Sequence, residues 1–352
     1  MSDERIRLQL LDVARFAAAL AVLGFHYLFN GIANGKVASI NHVPGLVDVA
    51  RYGYLGVDLF FIVSGYVILR SVRGKTAQAF ALSRAQRLYP AFWVAVLVTS
   101  AFAAVWGGAR MGVSAPQLLA NLTMAAPLFR QDWVDGVYWT LAYELRFYAA
   151  VWLLLWLRPA ARLERWALGW IGVLMLAHLL GWQRWPLLGG YYVFFAAGCL
   201  LAVAGERPLR WWALPMLTAL ALCIDVAMQE AHEKTLATGV AFSPVVAAVF
   251  VALCFAFFAL LNTRRGGALR VPGARLMGGL SYPLYLVHAH IGYMLLSRFA
   301  DEQHKALAYA LVIAVVLGIA AAIHLGIERA LAARWRALFS ATLGAAWGAR
   351  HA

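Results

Sequence analysis

The stretch "LLDVARFAAALAVLGFHYLFN" occupies residues 10–30, and a run of that length crosses a hydrocarbon core about 30 Å thick as an α-helix. Three of its residues are foreign to lipid: Asp12, Arg15 and His26. An Arg or Asp at the centre of a span costs roughly 2.5–3.5 kcal/mol on insertion scales, so an ionisable group retained there points to function. Arg15 and His26 are separated by close to three helical turns, which sets them on one face, roughly 16 Å apart along the axis. Asp12, one turn before Arg15, is placed to pair with it.

The rest of the chain has the same character. Of 352 residues, 63% are hydrophobic and 13% charged, with a mean hydropathy of +0.73. That composition excludes an ordinary soluble domain and predicts an all-α, polytopic membrane protein. Apolar windows predict about ten transmembrane helices, near residues 10–32, 53–70, 88–107, 137–157, 166–182, 187–204, 211–228, 240–261, 277–298 and 306–329. The stretch 114–128 is apolar but short and Pro-bounded, which suits an interfacial or re-entrant helix. No small-residue cleavage site follows the first segment, so it reads as a retained span.

The net charge of +14 does not imply nucleic acid, because the basic residues gather in short connections between apolar segments. With the N-terminus inside, twenty Lys and Arg fall on cytoplasmic segments and eight outside, and Arg15 and Arg146 lie within spans. This asymmetry predicts an N-in/C-in topology. Residues 1–336 read as one transmembrane domain and 337–352 as a cytoplasmic tail. Cys199, Cys223 and Cys254 are odd in number and sit in apolar segments, where they read as small buried hydrophobes rather than disulfide or metal ligands.

Several further ionisable residues fall inside spans. In "GYLGVDLFFIVSGYVILR" (residues 53–70), Asp58 lies a turn or two below the outer surface and Ser64 near mid-membrane, and the glycines allow close helix approach. On the residues alone, Asp58 either pairs with a cation or takes part in proton transfer. Ser64 is a candidate nucleophile, although serine in a span ordinarily bonds backbone. Glu144 lies at the depth of Asp58, near Trp139 and Tyr143, which form either an aromatic belt or part of a sugar site. In "LSYPLYLVHAHIGYMLL" (residues 280–296), Pro283 is placed to kink the helix, Tyr285 is a candidate substrate contact and His288 falls mid-membrane. One shared polar cavity explains His26, Asp58, Glu144 and His288 more economically than four separate liabilities. A histidine beside a carboxylate there is a natural general base. On the inner side, Arg84 and Arg87 follow the positive-inside bias, and their spacing also suits clamping the phosphates of an anionic ligand. Glu328 is placed to pair with nearby arginines. Buried acids and histidines fit a proton-coupled exporter of a glycan or small molecule equally well, though no internal repeat supports that class.

Six blocks, "LDVARFAAALAVLGFH", "YLGVDLFFIVSGYVI", "SRAQRLYPAFW", "YWTLAYELRFY", "LSYPLYLVH" and "IER", occur in order from residue 11 to residue 329. Together they resemble the acyltransferase-3 family of integral membrane acyltransferases, most closely its exopolysaccharide and lipopolysaccharide O-acetyltransferase members. The resemblance implies transfer of an acyl group, usually acetyl, from acyl-CoA to a hydroxyl of a carbohydrate or lipid-linked glycan; the N-in orientation and the composition point to a bacterial inner membrane, and no metal site is expected. The resemblance also implies that His26 is the catalytic base, Arg15 its companion, Glu144 and Glu328 membrane-embedded acids, and Arg84 and Arg87 the Arg-rich block that would hold acetyl-CoA. The chain departs from the pattern mildly: Val13 follows Asp12 where glycine is common, and Ala330 follows "ER" where proline is common. A donor module that passes acyl groups to a separate enzyme is a third possibility.

Overall fold

The structure, a computed structural model, describes residues 2–157, 163–204 and 212–344. Every regular element among them is helical. The longer helices are α1 (Ser2–Phe25), α2 (Gly56–Ser71), α3 (Ala77–Trp106), α4 (Trp139–Leu157), α5 (Leu163–Leu179) and α6 (Tyr192–Ala204). They continue as α7 (Ala213–Thr238), α8 (Pro244–Leu261), α9 (Ala274–Val287), α10 (Ala289–Phe299), α11 (Lys305–Ala322) and α12 (Ala332–Phe339).

Seven helical stretches among the described residues are long and apolar enough to cross a membrane: Gln9–Ala33, Leu46–Ser71, Ala77–Trp106, Gly136–Leu157, Ala213–Thr238, Pro244–Leu261 and Lys305–Arg329. The spans expected near 166–182 and 187–204 correspond to the shorter apolar helices α5 and α6. The span expected near 277–298 is split into α9 and α10, which meet at His288. The span expected to end near residue 228 continues to Thr238, where Gly239 closes it at φ +71°. Gln229, Glu230, Glu233 and Lys234 end the apolar window there, but all are good helix formers. Within 114–128 lie a short helix, Ala115–Asn121, capped reciprocally by Ser114 and Gln117, and a 3₁₀ turn, Ala126–Phe129. The expected tail begins in helix: α12 is followed by a π turn, Ser340–Gly344. Arg158, Arg162, Arg207, Arg210 and Arg350, which contribute to the orientation, lie outside the described residues.

The chain forms two compact units. The first comprises Met1–Ala18, Tyr54–Ala77 and Tyr143–Arg275. Its centre is the crossing of α2 with α6, where a Cβ at Gly65 would overlap the Phe195 carbonyl and one at Gly198 would overlap that of Ile62. Only glycine lets these backbones touch. At one end of α2, Arg70 donates to the Tyr66 hydroxyl (2.8 Å), which donates to Asn262 Oδ1 (2.9 Å). All three cysteines are buried free thiols. The second unit comprises Ala19–Gly53, Gln78–Ala142 and Leu276–Ala352. There the helix begun by α1 passes through a π turn, His26–Asn30, which packs against α10.

Candidate active site

In the second unit, the π turn carries His26, the base expected from the sequence. Such single turns insert an extra residue into an α-helix and occur frequently at functional sites. At its first position His26 is half-buried, and its Nδ1 is hydrogen-bonded to the phenol of Tyr293 on α10. Asn30, the last residue of the turn, donates from Nδ2 to the same phenol oxygen at 2.8 Å. The His26 ring stands edge-on to that of His288, with centroids 4.9 Å apart.

Two glycines make this approach possible. A Cβ at Gly31 would lie 2.5 Å from the Tyr293 ring, and one at Gly292 would overlap the ring of Tyr27. Each helix therefore sends a tyrosine across the bare backbone of the other. Tyr293 reaches His26, while Tyr27 donates to the carbonyl of His288 at 2.8 Å.

The interruption at His288 follows from hydrogen-bond accounting. The His290 amide donates to Asp135 Oδ2 (2.9 Å) instead of continuing the helical ladder. The Leu286 carbonyl that this leaves accepts from the Tyr138 hydroxyl (3.1 Å). Pro283, the expected kink, instead sits inside α9. His288 Nδ1 faces the Tyr285 carbonyl at 2.8 Å. A carbonyl only accepts, so Nδ1 carries the proton and Nε2 presents a lone pair. That Nε2 is buried and has no hydrogen-bond partner among the described residues. Buried polar atoms are paired in the large majority of cases, which makes this one notable. Tyr285 is buried, with its hydroxyl 2.8 Å from Thr140 Oγ1 and donating to the Val137 carbonyl at 3.1 Å.

Next to Tyr293, Lys36 Nζ donates to His290 Nε2 at 2.7 Å, and His290 Nδ1 donates to the Val134 carbonyl at 2.8 Å. Burial holds the Lys36 ammonium below the ordinary lysine value, while the charge of Asp135 acts the other way. At the opposite end of α9, Arg87 Nη1 pairs with Glu328 Oε1 at 2.9 Å, and His324 Nδ1 lies 2.7 Å from Glu328 Oε2. Glu328 and His324 belong to a second π turn, Ile323–Arg329. Arg87 also lies over the Tyr282 ring, and Arg84 donates to Ser83 Oγ at 3.1 Å.

In the first unit, Glu144 accepts from Ser64 Oγ at 3.1 Å and from the Tyr148 hydroxyl. Tyr143 packs among Phe61, Tyr191 and Tyr192, and the Arg146 guanidinium lies over its ring. Asp58 is fully buried, and neither carboxylate oxygen has a hydrogen-bond partner among the described residues. The charges acting on it are Glu230 and Lys234 of α7. Glu230 accepts from Tyr191 at 2.8 Å and pairs with Lys234 at 3.5 Å. Asp12 and Arg15 are half-buried on α1, and Trp139 is half-buried at the start of α4.

The structure thus joins His26 with His288, Ser64 with Glu144, and Arg87 with Glu328. Asp58 and Glu144, expected beside His26, belong to the first unit, whereas His26 belongs to the second. Tyr293, Asn30, Lys36, Asp135 and Glu230 were not singled out by sequence reasoning. The one signal for Tyr293 was its place in the polar "HAHIGY" run (residues 288–293). Among the described residues, no group of three or more His, Cys, Asp or Glu is placed to hold a metal ion.

Comparison with known proteins shows the family. The chain is 26% identical over 330 residues to Nodulation protein 10 of Rhizobium leguminosarum bv. viciae, covering 81% of this chain and 83% of that protein. It is 33% identical over 107 residues to Exopolysaccharide production protein ExoZ of Rhizobium meliloti (strain 1021), a match spanning 28% of this chain and 32% of that protein's length. No solved structure matches. The family model described as "Acyltransferase domain" matches residues 8–325. Nearly the whole helical chain, from before Arg15 to the second π turn, falls within that match, and the chain belongs to this family of membrane acyltransferases.

Proposed function

We propose that the protein transfers an acyl group, acetyl in the simplest case, from acyl-CoA to a hydroxyl of a glycan or glycolipid, with His26 as general base. The observation that carries the reading is the hydrogen bond between His26 Nδ1 and Tyr293, itself buttressed by Asn30. In this proposal Nδ1–H donates to the phenol oxygen, which leaves Nε2 of His26 as the basic nitrogen. That nitrogen removes the proton of the acceptor hydroxyl as the oxygen attacks the thioester carbonyl. The tetrahedral adduct then expels the thiolate, which recovers the proton from the imidazolium, leaving an ester and free CoA. Positioned bases of this kind typically contribute 10²–10⁴-fold.

Arg87 and Arg84 are suited to the phosphates of the donor. Arg87 is about a third exposed, and its bond to Glu328 occupies one guanidinium nitrogen. The remaining donors suit charge-assisted hydrogen bonds to phosphate oxygens. In this proposal His288 accepts a hydrogen bond from substrate through Nε2. For Arg15 as companion, Asp12, Asp58, Glu144, Ser64, Trp139, Tyr143 and Tyr285, the assignments rest on the sequence pattern. The N-in/C-in orientation and a bacterial inner-membrane location rest on the charge asymmetry.

Purified protein in detergent, given labelled acetyl-CoA and a glycan extract, tests the reading. Label appears on the glycan with CoA released, in the absence of any membrane gradient. Absence of transfer from purified protein, with glycan movement driven by a proton gradient in vesicles, would establish the transporter instead. Transfer that requires added lysate would establish the donor-module reading.

A further inference from the structure

The outer rim of the His26 cluster carries a cation for which acyl transfer by a general base has no use. Lys36 lies just past the end of the first helix, where Gly35 adopts φ +71° and the Val37 amide returns to the Gly31 carbonyl at 2.8 Å. This glycine C-cap reverses the chain. Val37 is buried, Asn34 Oδ1 accepts from the Lys36 amide (3.0 Å), and Arg110 grips the Gly35 carbonyl, so the turn is held on three sides. The Lys36 side chain is thereby laid over the Tyr293 ring, 5.8 Å from its centroid, on the residue that holds His26.

A half-buried ammonium ordinarily has a carboxylate partner. Lys36 has a neutral one. His290 gives its Nδ1 proton to the Val134 carbonyl, so its Nε2 accepts one of the three Lys36 protons and contributes no charge. Asp135, the acid that acts on Lys36 from further away, has both oxygens committed to backbone amides, one to His290 and one to Val137. No carboxylate pairs with Lys36 among the described residues. Two ammonium protons and the full charge remain for a ligand, at the ring beside the proposed base.

We propose that Lys36 is a subsite for an anionic group of the acceptor: the acceptor is a sugar carrying a carboxylate or phosphate next to the hydroxyl that is acylated. This deepens the acyl-transfer reading and rests on it. Lys36 holds the anion, Tyr293 and His26 face the neighbouring hydroxyl, and a sugar lacking the anion leaves the ammonium unanswered. A charge-assisted hydrogen bond of about 1.5–3 kcal/mol corresponds to roughly tenfold or more in affinity.

The test uses membranes containing the full chain, labelled acetyl-CoA and the endogenous acceptor. Methyl glucuronide, glucose 6-phosphate and methyl glucoside are added as competitors. At least one anionic sugar should inhibit labelling at about tenfold lower concentration than methyl glucoside, and which one does so separates carboxylate from phosphate. Lys36→Gln should erase the difference and Lys36→Arg should keep it. Equal potency of all three on the unaltered protein, including no inhibition by any, overturns the proposal, as does an unchanged ratio in Lys36→Gln. Failure of the underlying reading looks different: His26→Ala membranes would then label the acceptor as well as the unaltered protein does.

Discussion

At the scale of single residues, catalysis by His26 depends on what holds its imidazole still. A histidine base is useful only if one nitrogen is committed and the other is kept deprotonated. Tyr293 supplies the commitment, and Asn30 fixes Tyr293. Tyr293→Phe keeps the ring over Gly31 but removes the hydroxyl. It should lower kcat by about tenfold to a hundredfold, the cost of a lost buried hydrogen bond, with KM for acyl-CoA little changed. Steady-state kinetics decide it, and a variant that raises KM alone would assign Tyr293 to binding instead. At the other end of α9, Glu328→Gln should weaken the hold on Arg87 and raise KM for acyl-CoA more than it lowers kcat. His26 and Glu328 were legible in the sequence because ionisable groups inside apolar runs stand out. Tyr293 was not, because a tyrosine near a membrane boundary has an ordinary explanation as an interface anchor.

At the scale of elements, the hydropathy pattern located the helices well and their interruptions poorly. The first helix reads as one unbroken span in sequence, yet it carries a π turn at His26. Nothing in "GFHYLFN" announces it, and the contacts the turn makes, with Tyr293 and His288, are remote in sequence. The break in the ninth expected span falls at His288 because Asp135, remote in sequence, takes the His290 amide. Proline was the local signal, and long-range hydrogen bonding overrode it. The reciprocal tyrosine–glycine contacts give a sharp prediction. Gly292→Ala places a methyl group where the Tyr27 ring lies, and overpacking of this kind costs about 1–3 kcal/mol. Thermal unfolding in detergent should shift down accordingly, and Tyr27→Phe, which keeps the ring, should not relieve it. In the first unit, Gly65→Leu should be more damaging still, because the obstacle is the Phe195 backbone rather than a side chain able to turn aside.

At the scale of the whole molecule, composition fixed the class, and the charge asymmetry gave an orientation that contacts within a chain do not address. Gln303 and Arg265 are both exposed and lie on connections assigned to opposite sides. The native cysteines are buried. A membrane-impermeant maleimide should therefore label Gln303→Cys in intact cells and Arg265→Cys only after lysis. The reverse pattern would invert the topology and place the Lys36 subsite on the donor's side. The shared cavity expected from four separate ionisable spans was a statement about assembly. Hydropathy carries no information about which polar faces meet, so only the local groupings around His26, Glu144 and Glu328 emerged residue by residue.

The most direct measurement is acyl transfer from labelled acetyl-CoA by His26→Ala protein inserted at the same level as the unaltered chain. The account predicts that turnover falls by at least about a hundredfold while the protein still folds and inserts. Full activity in that variant would contradict it.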